Sequence, residues 1–148
     1  MSRDRKFTRW NGTAWETYPV MDSDHNYDMG SLYLTETGWR VIGSLVNGPQ
    51  IWGAGGEVAF FESTDDGKTW QMTRQITSNS PRNHNYIRRP LNARDPFYAF
   101  WADGDPGKFG ISKLYFGDSK GNVWQLPYQM KSKTAPPVKM KGFDNNGW

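Results

Sequence analysis

An all-β fold made of repeated units is what this sequence predicts, and three observations carry the prediction. The 148 residues include 16 Gly and 9 Pro, and no stretch of them holds a 3.6-residue apolar period. Turns, not helices, therefore punctuate the chain. A Gly-x-x-Trp sequence occurs three times, at Gly12/Trp15, Gly67/Trp70 and Gly121/Trp124, with the glycines 55 and 54 residues apart. His-Asn-Tyr occurs twice, beginning at His25 and His84, 59 residues apart. Two separate motifs in the same order with nearly the same period mark an internal repeat. Aromatic side chains are 16% of the chain, enough to fill a core despite modest aliphatic content.

The elements follow in order. Residues 7–10 and 14–18 read as a hairpin around Gly12. Residues 30–34, 39–45, 57–62 and 69–76 read as four strands, rich in Val, Ile, Leu, Tyr and Phe and bounded by Gly, Asn and Asp. Residues 86–89, 97–101, 113–117 and 122–126 read as four more. In Ser63-Thr64-Asp65-Asp66-Gly67-Lys68-Thr69-Trp70 the Asp65 carboxylate is placed to accept backbone N–H groups, Gly67 to supply a positive φ, and Trp70 to cover the turn. A four-stranded unit of about fifty residues is a β-propeller blade. The expected architecture is a partial β-propeller of about two and a half four-stranded blades. Residues 1–20 form the outer hairpin of a preceding blade. Residues 21–80 form one blade, residues 81–127 a second, and residues 128–148 a weakly structured tail whose Phe143 and Trp148 are able to dock. A closed ring takes about four to eight blades. The chain is thus expected to be the C-terminal piece of a longer protein, ahead of self-assembly or an open stack.

Ser63, Asp65, Gly67 and Trp70 hold all four defining positions of the Asp box, and on them the chain resembles BNR-repeat, sialidase-like propellers. The wider text from 7 to 127 agrees, including Asp24-His25-Asn26-Tyr27-Asp28-Met29-Gly30, His84-Asn85-Tyr86-Ile87-Arg88-Arg89-Pro90 and Phe100-Trp101-Ala102-Asp103-Gly104. In these segments it is similar to propeller polysaccharide lyases acting on uronic polymers and to propeller α-L-rhamnosidases. The resemblance implies Asp-box hairpins with a structural role on the blade edge. It also implies a carbohydrate-active protein that acts on acidic polysaccharide as a lyase or glycoside hydrolase, in a secreted or periplasmic setting. A sialidase would bring three arginines from separate blades, a Tyr nucleophile and an Arg-Ile-Pro segment. Here the Arg88-Arg89 pair alone stands out for the arginine role, and Arg-Ile-Pro does not occur.

The candidate chemistry sits in the His-Asn-Tyr repeats. Each leads into the first strand of its unit, the strand that lines a propeller's channel. Residues two apart on a strand share a face, so His84, Tyr86 and Arg88 are expected together, with His25 and Tyr27 beside them. Arg88 or Arg89 would neutralise a sugar carboxylate, and Trp101 would stack on a sugar ring. His25, Tyr27, His84 and Tyr86 would move the protons of a β-elimination. The alternative is that His-Asn-Tyr is architecture, joining adjacent inner strands, in a non-catalytic glycan-binding or scaffold segment. Asp24, Asp28 and Asp103 supply carboxylates for a hydrolase, but nothing in the sequence pairs them. Trp39 and Trp52 are further stacking candidates, more simply read as core.

Other classes are disfavoured. No cysteine is present, and two histidines without a third ligand make a poor zinc site, so no metal or cofactor is expected. Residues 1–10 carry five charges and no apolar run, unlike a secretory signal, and nothing later is apolar enough to span a membrane. The net charge is +3, with lysines at 131, 133, 139 and 141. They are sparse and interspersed with Pro136 and Pro137, which reads as a solvated tail instead of a nucleic-acid surface. Residues 53–56, Gly-Ala-Gly-Gly, lack the Lys and following helix of a phosphate loop and read as a connection between strands. The expected partners are a polysaccharide or oligosaccharide, and either the remaining propeller blades or further copies of the chain.

Overall fold

The computed structural model describes residues 3–25 and 30–141, and every regular element among them is a strand. β1 (Arg3–Trp10) and β2 (Trp15–Ser23) form a two-stranded hairpin. β3 (Ser31–Thr35), β4 (Gly38–Val46), β5 (Glu57–Ser63) and β6 (Gln71–Gln75) form a second antiparallel sheet in sequence order. β7 (Asn83–Arg88), β8 (Ala99–Gly104), β9 (Leu114–Gly117), β10 (Val123–Gln125) and β11 (Val138–Lys139) form the third, also in sequence order. No sheet closes on itself. β11 comes from the tail: it pairs with β10, and Met140 N donates to Val123 O at 2.8 Å. The tail expected to be weakly structured thus adds an edge strand, while Phe143 and Trp148 lie outside the described residues.

The sheets stack because each repeated strand set has two usable faces. In β5, Val58 and Phe60 point to one side and Ala59 and Phe61 to the other, and all four are buried. Val58 and Phe60 join Tyr33, Ile42 and Ile76 against Ala99, Trp101, Tyr115 and Val123 of the five-stranded sheet. Ala59 and Phe61 join Leu45 against Val20 and Met21 of the hairpin. A strand covered on both faces loses polar alternation, which is why Val58–Phe61 at the centre of β5 is an unbroken apolar run. β8 keeps the alternation, with Ala99, Trp101 and Asp103 buried.

Each of the three Gly-x-x-Trp turns is held by an Asn or Asp side chain set one, two or three residues before its glycine. Asn11 Oδ1 accepts Thr13 N and Ala14 N at 2.9 and 2.8 Å. Asp65 Oδ1 accepts Lys68 N and Thr69 N at 3.1 and 2.9 Å. Asp118 Oδ1 accepts Lys120 N and Asn122 N at 3.0 and 2.8 Å. The glycines that follow have φ of 102°, 81° and 84°, a region open to Gly at little cost. In the middle turn Ser63 Oγ donates to Asp65, and Trp70 Nε1 donates to Gly67 O at 2.9 Å. Bonds from Thr69, backbone first and then hydroxyl, bring the Asp65 carboxyl down to about 2.

Neighbouring sheets are tied through these turns. Arg9, paired with Glu16 at 3.0 Å, donates to Asp66 O at 2.7 Å. Arg40, bonded to Glu62 at 2.7 Å, donates to Ser119 O at 2.9 Å. Asp66 and Ser119 each follow the turn's Asp by one residue. In both cases an arginine of the preceding sheet, from β1 in one and β4 in the other, donates to the carbonyl one residue after the turn's Asp.

Candidate functional site

β7 begins at the junction of the two larger sheets. Gly56 and His84 exchange backbone bonds of 2.9 and 2.7 Å, which ties β7 to the start of β5. The approach requires glycine before β5: a Cβ on Gly55 would lie 2.0 Å from His84 O. This is the structural reason for the Gly-Ala-Gly-Gly connection.

The His84 ring lies 4% exposed at the centre of a polar chain. Trp101 Nε1 reaches His84 Nδ1 at 3.0 Å, and Ser80 Oγ lies 3.0 Å from His84 Nε2. Ser80 Oγ donates to Glu57 Oε2 at 2.8 Å, Thr77 donates to the same oxygen at 2.5 Å, and Ser80 N donates to Glu57 Oε1 at 2.8 Å. An indole N–H only donates, so Nδ1 is the bare acceptor and the ring proton sits on Nε2. That proton faces Ser80 Oγ, whose own hydrogen is committed to Glu57. Burial lowers the His84 pKa, against the opposing charges of Glu57 and Asp103. The resulting order runs Trp101 to His84 to Ser80 to Glu57. It is the reverse of what a serine nucleophile needs, since Ser80 has no basic nitrogen to receive its proton. The ring borders a cleft of about 120 Å³ lined by Thr77, Ser80, Tyr115, Val123 and Met140.

His25 is also enclosed, with no exposed surface. Its Nε2 donates to Ser44 O at 2.6 Å, and its Nδ1 lies 2.5 Å from Ser23 Oγ. Arg5 donates to the His25 carbonyl. Tyr27 lies outside the described residues, as does Asp28.

The expectation that His84, Tyr86 and Arg88 share a face meets a β-bulge. The register against β8 shifts between Asn85 and Arg88, and Tyr86 takes φ of 56°. The extra residue breaks the two-residue alternation. His84 and Ile87 consequently turn inward, while Tyr86 and Arg88 turn outward. Tyr86 and Arg88 line an open groove of about 290 Å³ with Phe100, Leu114, Leu126 and the edge of Trp101. Trp101 itself is 4% exposed and faces His84, so its broad ring face is committed to the core. Arg89 braces the sheets: its N donates to Ser31 Oγ at 3.0 Å and its guanidinium lies 5.3 Å over the Tyr33 ring. Ser63, Asp65, Gly67 and Trp70 build the turn at the far end of β5 from Glu57 and the His84 chain.

Sequence reasoning missed Glu57, Ser80 and Arg82. Glu57 is 3% exposed at the head of an apolar strand, and a charged residue in that position is itself a signal of a buried network. Arg82 pairs with Asp103 at 2.8 Å, and Asp103 also accepts from Lys113 N and Tyr115 OH at 2.7 and 2.9 Å. Burial pushes the Asp103 carboxyl up, and these donors outweigh it, leaving the group below the usual carboxylate range. Among the described residues no three His, Asp or Glu side chains gather as a metal-holding group.

Comparison of the chain with family models, with curated proteins and with solved structures finds no match.

Proposed function

We propose that this chain is a non-catalytic segment of an Asp-box β-propeller protein associated with carbohydrate, in which the His-Asn-Tyr repeat joins adjacent units. One observation carries the choice against catalysis: both imidazoles are buried, with both ring nitrogens engaged inside the fold. A general base must have a nitrogen free for its substrate's proton; His25 is enclosed, and His84, where its ring borders the cleft, has both nitrogens held by Trp101 and Ser80. The propeller reading draws its support from the repeat: sheets in sequence order, a Gly turn held by an Asn or Asp side chain in each, and an arginine bonded to the turn backbone of two of them. Ser31 of β3 also bonds to Ile87 O of β7 at 3.0 Å. Such a segment meets further blades or further copies of itself.

A second reading, acidic-glycan binding, is favoured by Arg88 and Tyr86 on the open groove. The groove exposes apolar and aromatic surface suited to a sugar face, and Arg88, one of its lining residues, would pair with the carboxylate of a uronate. The test of both readings incubates the chain with polyuronates, following unsaturated ends, reducing ends and binding heat. The expected result is no chain cleavage, with any binding heat lost in Arg88→Ala. Release of unsaturated or reducing ends above a heat-inactivated control would overturn the non-catalytic reading. Binding that survives Arg88→Ala and Tyr86→Ala unchanged would overturn the groove.

A further inference from the structure

We propose that Asn47 is a site of spontaneous modification: its amide closes onto the Gly48 nitrogen, loses ammonia, and leaves aspartate or isoaspartate at the joint between β4, β5 and β7. The inference stands on the chemistry and packing of that joint and does not need the propeller or glycan readings.

Asn-Gly occurs three times, at Asn11, Asn47 and Asn146, and the last lies outside the described residues. Asn is a labile side chain, and a following glycine sets no Cβ beside the attacking nitrogen. The fold separates the first two sites. At Asn11, Oδ1 accepts Thr13 N and Ala14 N at 2.9 and 2.8 Å, and Nδ2 donates to Glu16 Oε1 at 2.9 Å. Ring closure expels Nδ2 and turns the carbonyl, so those bonds must be given up first. Asn47 is exposed and lies just past the end of β4. Neither its amide nor the Gly48 N–H has a hydrogen-bond partner among the described residues.

Packing requires the glycine at 48. A Cβ there would lie 2.4 Å from Asn83 Oδ1 and 2.8 Å from Gly56 Cα. Asn83 is fully buried and fixed in place: its Oδ1 accepts Gln50 N at 3.0 Å, and its Nδ2 donates to Gln50 O at 2.9 Å. The contact that seats the start of β7 beside the start of β5 therefore demands the residue that leaves Asn47 most open to attack.

The Gly48 nitrogen, losing its proton, attacks Asn47 Cγ. A C–N bond forms, the Cγ–Nδ2 bond breaks, and ammonia leaves with the proton. Water then opens the ring at one of its two C–N bonds. Opening at Cγ gives aspartate on an unchanged backbone. Opening at the main-chain carbonyl gives isoaspartate, and the backbone then runs through Cβ and Cγ, one carbon longer. That carbon falls between the Val46–Glu57 pairing and the Gln50–Asn83 bonds, beside the Gly56–His84 exchange. Isoaspartate thus distorts the joint that holds His84, whereas aspartate adds only an exposed charge.

The test ages the full chain in mildly alkaline buffer, native and in denaturant, and reads the mass gain at each Asn by peptide mapping. In the native chain Asn47 should react roughly tenfold or more faster than Asn11, whose amide bonds must break first. In denaturant the two rates should converge. Asn47→Gln should abolish the gain at that position, because the longer side chain closes a less favourable ring. The isoaspartate form, separated chromatographically, should melt below the Asn47→Asp variant, which should melt with the wild type. Reaction at Asn47 no faster than at Asn11 in the native chain would overturn the proposal. A rate difference that persists in denaturant would overturn the role of the fold. An isoaspartate form that melts with Asn47→Asp would overturn its effect on the joint.

Discussion

The indole of Trp101 sets the protonation of His84. Its N–H points at Nδ1 from 3.0 Å, and a proton added there would meet another donor. Protonating the ring therefore breaks the bond that holds Trp101 in the core. The linkage follows from the lowered pKa. The unfolded chain binds the proton more readily, so this contribution to stability is present at neutral pH. It is lost as pH falls below the ordinary histidine value of about 6.5. Thermal melts from about pH 7.5 to 5 should show a falling midpoint in the wild type. His84→Gln should be less stable at neutral pH and flatter across that range. Equal pH slopes in the two proteins would contradict the placement of the ring. The role of His84 was half legible in the sequence. The repeat marked the position, but the choice between chemistry and architecture depended on Glu57, 27 residues earlier, which takes up the Ser80 hydroxyl beside the ring.

At the scale of elements, the turns were the most legible part. Asn or Asp followed by Gly and then Trp is a local device, and its hydrogen bonds close within four residues. The strand order followed from the turns, since antiparallel neighbours need only short connections. The bulge in β7 was not legible, because the tyrosine at φ of 56° carries no local signal for that conformation. The turn glycines separate strain from crowding. A Cβ on Gly12 meets nothing within 4 Å, whereas one on Gly67 lies 2.6 Å from the Phe7 ring. Gly12→Ala should cost about 1–2 kcal/mol, the penalty for a side chain at positive φ. Gly67→Ala should cost about 1 kcal/mol or more beyond that, through the displaced ring. Chemical denaturation of the two variants checks the order. Equal losses would mean that Phe7 does not pack on the turn as described.

Over the whole molecule, sheets are joined twice by the same means: an apolar core, and an arginine that caps the next turn. The repeat made the succession of sheets readable in outline, but the arginines that join them, Arg9 and Arg40 opposite Glu16 and Glu62, became visible only in the strand register. What composition did not reveal is that the polar residues best suited to catalysis lie between the sheets. Glu57, Ser80 and His84 connect the four-stranded sheet to the five-stranded one, with Trp101 at the end of the chain of bonds. The central claim is that the repeated histidine is such a joint and not a reactive group. Nitrogen-15 NMR of the histidine side chains, followed through a pH titration, tests it most directly. The account predicts a His84 ring with its proton on Nε2 at neutral pH and a titration midpoint below that of a free histidine. A proton on Nδ1, or a midpoint at or above the free value, would contradict it.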